Sequence, residues 1–282
     1  MFGVGRVGCH CLLLETDAGL LLVDTGFGMA DVERPQPRLS RLVKMLHRPD
    51  FDPLDTAVEQ VRELGFAPEA VKHIVLTHLD FDHAGGLADF PAATVHVLAD
   101  EADAARHRRG FIARRRYRPA QWRASAASWR EHKAGGEQWF GFDAVRPLAI
   151  SDKSTLDLLM VRLPGHTAGH CGVAVRDDAG RWLLHAGDAY FHHAEMNAGD
   201  RGCPVGARGY QWLVQVNGRQ RRHTRQRLRE LLARSRDEVT VFCSHDLTEL
   251  QNRQRAAETR LRKPPRALSR APGPPTSYDN PA

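Results

Sequence analysis

Apolar residues in this chain come in short runs that end abruptly at glycine, carboxylate or imidazole positions. Leu12-Leu13-Leu14 and Leu20-Leu21-Leu22-Val23 flank the turn Asp17-Ala18-Gly19, which predicts a β-hairpin over 10–25. A helical period over 55–64, with Asp55 as cap and Gly65 as stop, precedes strands over 72–77 and 94–98. The second half predicts strands near 158–163, 171–176 and 182–186, the last two joined by the turn Asp177-Asp178-Ala179-Gly180. A helix over about 219–235, a strand at 239–242 and a helix over about 248–260 complete it. Alternating strands and helices make the fold class α/β, with two sheets sandwiched between helices. Residues 99–150 and 190–218 interrupt the pattern and are expected to wall whatever lies at the strand ends.

What lies there is a concentration of metal-ligating residue types. Ile74-Val75-Leu76 runs into Thr77-His78-Leu79-Asp80-Phe81-Asp82-His83, four candidate ligands within six residues, and then into Ala84-Gly85-Gly86, where glycines allow a sharp turn. Successive side chains of an extended segment point to opposite faces, so this stretch can address two neighbouring ions. Leu158 to Leu163 leads into Pro164-Gly165-His166-Thr167-Ala168-Gly169-His170, and Trp182-Leu183-Leu184 leads towards Ala186-Gly187-Asp188. Val239-Thr240-Val241-Phe242 leads into Cys243-Ser244-His245-Asp246. Four strand-end loops bearing His or Asp are what a dinuclear centre needs, since no single helix or hairpin surrounds two cations with six or seven ligands. Solvated turns also use His and Asp, but would have to assemble all of these by chance.

The motifs and their order resemble the metallo-β-lactamase superfamily over nearly all of residues 7–250. The resemblance implies an αββα sandwich, one metal on His78, Asp80 and His166, another on Asp82, His83 and His245, Asp188 bridging them, and a hydroxide held between the metals as nucleophile. Two divalent ions are expected, Zn first. The departure from the family pattern is Asp80, where most members carry a second His. A carboxylate is harder and adds negative charge, which favours Fe or Mn relative to Zn; being shorter, it reaches the metal either directly or through water. Asp24-Thr25-Gly26 through Leu87, with Phe242 to Asp246, is most similar to the N-acyl homoserine lactone lactonases. Those enzymes carry a Tyr three residues after the bridging Asp, a position held here by Phe191. Tyr190, one residue earlier, is either a shifted catalytic hydroxyl or a half-buried aromatic, because a one-residue shift on a strand turns a side chain to the opposite face. Asp82, Asp188 and Tyr190 are thus the candidate catalytic residues, and His170 is a candidate to orient a ligand. No spacing rule selects His185, His192 or His193 as ligands. His73 and His96 read as ordinary strand residues, and His10, His47, His107, His132 and His223 as surface groups.

The expected reaction is metal-dependent hydrolysis of a lactone or other carboxylic ester. The alternatives are a phosphodiesterase on the same dinuclear site, an iron-dependent redox enzyme of sulfur dioxygenase or flavodiiron type, and a non-catalytic binder, which a full ligand set fits least. Charge narrows the partners. The formal charge is +6, but seven Arg/Lys against Glu258 and Asp279 place +5 of it in residues 253–282, leaving +1 for a catalytic domain over 1–252. The Pro-rich tail is too poor in apolar residues to order itself. Arg106-His107-Arg108-Arg109 and Arg114-Arg115-Arg116-Tyr117-Arg118, with Trp122, Trp129 and Trp139, read as a helical insertion whose aromatics pack on the body, or as a rim attracting a small anionic substrate. A body of +1 is too weakly charged for a nucleic-acid surface. No apolar run is long enough for a transmembrane helix, the N-terminal residues do not read as a signal peptide, and five cysteines without a Cys-x-x-Cys pair suit a reducing compartment. A cytoplasmic enzyme without membrane contact is expected, its oligomeric state open, a homodimer included. Cys9 and Cys11, alternate residues of a strand, read as small apolar packing.

Overall fold

In the hairpin, β1 (Leu12–Thr16) and β2 (Gly19–Val23) pair antiparallel. The first sheet then continues in parallel through β3 (Val71–Val75), β4 (Thr94–Leu98) and β5 (Ser128–His132). The structure, a computed structural model, describes residues 6–122, 128–147, 157–177, 179–197 and 202–261. The tail expected to be disordered therefore lies, beyond residue 261, outside the described residues. A second sheet takes β6 (Glu137–Trp139), β7 (Phe142–Val145), β8 (Leu158–Arg162), β9 (Cys171–Arg176), β10 (Trp182–His185) and β11 (Val239–Phe242) in that spatial order, antiparallel except for β10 beside β11.

Strands covered on both faces read as nearly unbroken apolar runs, which is what β2 and β8 show. Between the sheets, Leu21, Val23, Val75 and Leu98 meet Leu158, Met160, Val173 and Val175. On the outer face of the first sheet, Leu20, Leu22, Ile74 and Val95 pack on Val58 and Val61 of the helix Ala57–Glu63 and on Ala102 and Ala105 of the helix Ala99–His107. Leu159, Val161 and Leu184 do the same against Leu228 and Leu231 of the helix Gly218–Ser235. The layers are therefore α, β, β, α. At about 1.5–3 kcal/mol per large aliphatic side chain, burial on both sheet faces dominates the stability of the sandwich.

Several expectations change. The first long helix starts at Ala57, because Thr56 rather than Asp55 accepts from the Glu59 amide; Asp52 caps the short 3-10 turn Pro53–Asp55 before it. Residues 99–150 are not only a wall, since they add β5 to one sheet and β6 and β7 to the other. Their tryptophans do pack on the body, Trp122 and Trp129 on the first sheet's outer core and Trp139 in the second's. His10 is not a surface group but buried against His185 and Phe242, with its carbonyl hydrogen-bonded to His185 Nε2 at 2.7 Å. His132 ends a row of imidazoles across three strands: His73 Nδ1 lies 3.2 Å from His96 Nε2, and His96 Nδ1 lies 3.0 Å from His132 Nε2. No helix among the described residues is long and apolar enough to cross a membrane.

Tyr190 is fully buried in the outer core of the second sheet, and its hydroxyl donates to the Glu249 carboxylate at 3.0 and 3.1 Å. Burial raises Glu249 from 4.5 to about 7, although hydrogen bonds from the Cys243 amide and Tyr190 pull the other way. The native state thus keeps a proton that the unfolded state has released over this range, so stability falls as pH rises from about 4.5 to about 7. Glu249→Gln, which mimics the neutral acid, is expected to remove that loss. Urea-unfolding free energies at about pH 5 and about pH 8 should converge in the variant, by up to about 3 kcal/mol relative to the parent. An unchanged gap would show that Glu249 is ionised in the native state.

Candidate metal centre

The four strand-end loops converge. His78, Asp80, His166 and Asp188 each bring one ligand atom within 4.8 Å of the others, and so do His83, Asp188 and His245. Asp188 belongs to both groups: its Oδ2 is 3.3 Å from His166 Nε2 and 3.1 Å from His245 Nε2, and its Oδ1 is 3.3 Å from His83 Nε2. Asp82 stands 4.0 Å from His83 and 3.8 Å from His245. The seven residues proposed as ligands on resemblance therefore gather in one place: six form two overlapping sets that share the Asp188 carboxylate, and Asp82 joins the second through His245.

Three of the imidazoles are aimed by their far nitrogens. His78 Nδ1 donates to Thr77 Oγ1 at 2.9 Å, and that hydroxyl donates to Asp24 Oδ2 at 2.7 Å. His83 Nδ1 donates to the same Asp24 oxygen at 2.8 Å, and His245 Nδ1 donates to the Gly8 carbonyl at 2.7 Å. With Nδ1 committed as donor, each Nε2 turns a lone pair towards the centre. His78 Nε2, His83 Nε2 and Asp188 Oδ1 are buried without a hydrogen bond. Unpaired polar atoms in such a place are costly unless a cation takes them, and this donor set fits a pair of divalent ions. Burial opposes the charged form of His83, but Asp188, Asp24 and Asp82 raise it well above its usual value; His245, opposed by burial in the same way, is raised to about 9 chiefly by Asp188. Metal ligation competes with protons at such nitrogens, so metal affinity rises with pH.

A family model for the metallo-beta-lactamase superfamily matches residues 4–245. The chain belongs to that superfamily. A probable metallo-hydrolase of Mycobacterium tuberculosis is 43% identical over 246 residues, 87% of this chain and 76% of its own length. An N-acyl homoserine lactonase of Bacillus thuringiensis is 33% identical over 102 residues, 36% of this chain and 41% of the lactonase. Among solved structures, an N-acyl homoserine lactone hydrolase with N-hexanoyl-L-homoserine at its catalytic metal centre superposes with a TM-score of 0.63 at 20% identity, covering 87% of this chain and 84% of the other. The dizinc quorum-quenching lactonase AidC gives 0.54 at 15% identity, over 86% and 73%. These structural likenesses establish the metallo-beta-lactamase fold, and the protein is a metallo-hydrolase of this superfamily.

Where this member departs from the superfamily pattern, the structure supplies a partner. Asp80 Oδ2 lies 3.0 Å from His166 Nε2 and 3.4 Å from His78 Nε2, facing the first ligand set. Its Oδ1 is 3.3 Å from Nε of Arg116, a buried guanidinium that also donates to the carbonyls of His166, at 3.1 Å, and Val214. One oxygen is thus left for a metal, and the charge that Asp80 adds is offset. The bias towards Fe or Mn expected from the sequence loses its electrostatic basis to that extent. The basic insertion is accordingly no uniform rim: Arg116 points inward, Arg118 donates to the carbonyls of Arg38 and Pro37, and Arg106 pairs with Glu131.

His170 acts on the shared carboxylate through the backbone. Its Nδ1 donates to the Leu163 carbonyl and its Nε2 accepts from the Asp188 amide, both at 2.8 Å. A Cβ at Gly187, where φ is 54°, would come within 2.6 Å of that Nε2, so only glycine fits between them. Tyr190, a candidate catalytic residue by sequence, lies in the loop after Trp182–His185 and faces Glu249 instead of the centre, while the next residue, Phe191, points inward. The Phe191 ring lies 5.8 Å from that of His166 and 4.6 Å from that of His245. Against Phe191 packs Tyr210, whose hydroxyl is 3.0 Å from His47 Nε2. Burial, and then Asp82, Asp80 and Asp188, push the Tyr210 hydroxyl up, so it stays protonated; burial foremost lowers His47, so it stays neutral. His47 is therefore part of the site, not a surface group. Cys9, read as apolar packing, instead brings its sulfur within 4.8 Å of ligand atoms of Asp82 and His245.

Asp80→His leaves Arg116 beside an imidazole without the carboxylate that offsets it most, Glu101 acting only second. Unpairing a buried charge is expected to cost about 3 kcal/mol of stability, which Asp80→His combined with Arg116→Gln should largely restore. Urea unfolding of the metal-depleted proteins checks this, and equal stability of the single variant and the parent would remove Asp80 as the partner that keeps Arg116 buried.

Proposed function

We propose that this metallo-hydrolase opens a lactone or cleaves another carboxylic ester of a small molecule, with His78, Asp80 and His166 holding one divalent ion, Asp82, His83 and His245 the other, and Asp188 shared. The observation that carries the reading is a pair of ligand sets sharing one carboxylate, beneath a tyrosine hydroxyl kept protonated. When bound, two cations in such sets lower the pKa of water and polarise a carbonyl oxygen. The chain's own groups then divide the remaining work. Asp82, the most open of the carboxylates at 14% side-chain exposure, takes the proton released as water adds to the carbonyl carbon. Tyr210 donates a hydrogen bond to the ester oxygen on which negative charge develops, and neutral His47 holds that hydroxyl in place. Exposed apolar side chains on the surrounding helices, among them Met45, Ile112, Trp212 and Leu213, suit an apolar acyl or alcohol portion of the substrate. Similarity over 102 residues to an N-acyl homoserine lactonase supports a lactone, while Phe191 in place of that group's tyrosine makes Tyr210 the hydroxyl on offer.

The test is metal analysis of the freshly purified protein, with turnover measured on a panel of γ-lactones, aryl esters and bis-aryl phosphates. Lactone or ester turnover that disappears in Asp188→Ala together with the bound metal is the expected result. Turnover confined to the phosphodiester would replace the reading with a phosphodiesterase, and dioxygen consumption by an iron form would replace it with a redox enzyme.

Tyr210→Phe should keep metal content and KM near those of the parent while lowering kcat on the best ester about 100-fold, the usual effect of losing one donor to a developing oxyanion. A parental kcat would take Tyr210 out of the chemistry.

A further inference from the structure

We propose that Cys9 is a thiolate ligand of the second metal position, making the two halves of the centre chemically different. Its sulfur lies within 4.8 Å of ligand atoms of both Asp82 and His245. An independent observation points to a cation at the adjoining set, which shares His245 with the Cys9 group: His83 Nε2 and Asp188 Oδ1, on side chains with 2% and 3% exposure, are 3.3 Å apart, and neither has a hydrogen bond. The segment that carries Cys9 is held there by the site itself. The Gly8 amide donates to the His245 carbonyl at 3.3 Å, the Gly8 carbonyl accepts from His245 Nδ1, and the His10 amide donates to the Ser244 carbonyl at 2.9 Å. Cys9 is thus fixed between two residues that are both bonded to the His245 loop.

The five cysteines all fall within the described residues, and the contrast among them is sharp. Cys171, Cys203 and Cys243 are buried, and Cys11 packs on the first sheet's outer core. Cys9 alone is exposed and belongs to no apolar cluster. Binding forms a metal–sulfur bond and breaks the S–H bond, the proton leaving to solvent; nothing is oxidised or reduced. A soft sulfur joins the second position, whereas the first has a carboxylate, Asp80, where the superfamily pattern has imidazole in most members. Ligand softness selects among first-row metals, so the second position favours Zn or Co over Mn and the first does not share that preference.

The experiment is titration of metal-depleted full-length protein with Co(II), reading both stoichiometry and the near-ultraviolet thiolate-to-cobalt absorption. The parent is expected to develop that absorption as the second position fills, and Cys11→Ser to do the same. Cys9→Ser should lose it and bind one Co(II) normally and the other about 10-fold or more weaker. Retention of the tighter equivalent shows that the variant is folded. Alkylation by iodoacetamide gives a second readout: Cys9 should react in the metal-depleted protein and be protected by Zn. No thiolate absorption in the parent, or the same absorption in Cys9→Ser, would overturn the assignment. Neither readout uses turnover, so a failed substrate panel leaves it standing, and a failed cobalt spectrum leaves the hydrolase reading standing.

Discussion

Three carboxylates and four imidazoles gather in one largely buried space, where Asp80 meets His166 at 3.0 Å and Asp188 meets His245 at 3.1 Å, and the surrounding structure fixes the direction from which each side chain enters. Asp24 does this most directly. Sitting at the end of the fully buried β2, it binds the Thr77 amide and hydroxyl and His83 Nδ1, so one carboxylate sets the direction of two ligand imidazoles, one of them through Thr77. Glu101 does the equivalent between the sheets, accepting from the Leu79 amide on one side and from Thr167 Oγ1 and the Gly169 amide on the other. Both acids are buried, and in such a place an acid needs this many donors to stay. The ligand loops are thereby tied to one another as well as to their strands.

The residues that gather at the candidate centre were readable because each follows a run of apolar residues, and a run of that kind has only one place to end in a two-faced sheet. The α/β class and most strand limits were readable for the same reason. What escaped depends on distance along the chain. His47 meets Tyr210 across 163 residues, and Arg116 meets the His166 carbonyl across 50. No local period signals such contacts. Asp24 left a trace that could have been used: a carboxylate directly following four apolar residues must be buried, and a buried acid implies partners. The strands within residues 99–150 went unread because β5, β6 and β7 are short and partly polar, so their strand pattern is weak.

Phe191 and Tyr190, neighbours in the loop after β10, show how a shift of one position redistributes chemistry. With phenylalanine inward, the ring closes over two metal-site imidazoles and offers no hydroxyl, while the adjacent tyrosine serves the outer core. The hydroxyl near the centre then comes from a different helix, Val205–Val214, and reaches it only because that helix packs over Phe191.

Arg116 joins things that other arrangements could leave separate. One guanidinium touches Asp80 in the first ligand set, the main chain of His166 and the end of the helix carrying Tyr210. Entrance and metal position are therefore mechanically one part. A loop that could drift during evolution to admit new substrates is here anchored to the inorganic heart of the protein, so changes of specificity must come from side chains on the entrance helices, not from moving them. Lineages that exchange Asp80 for histidine would release that anchor, and with it the freedom to remodel the mouth.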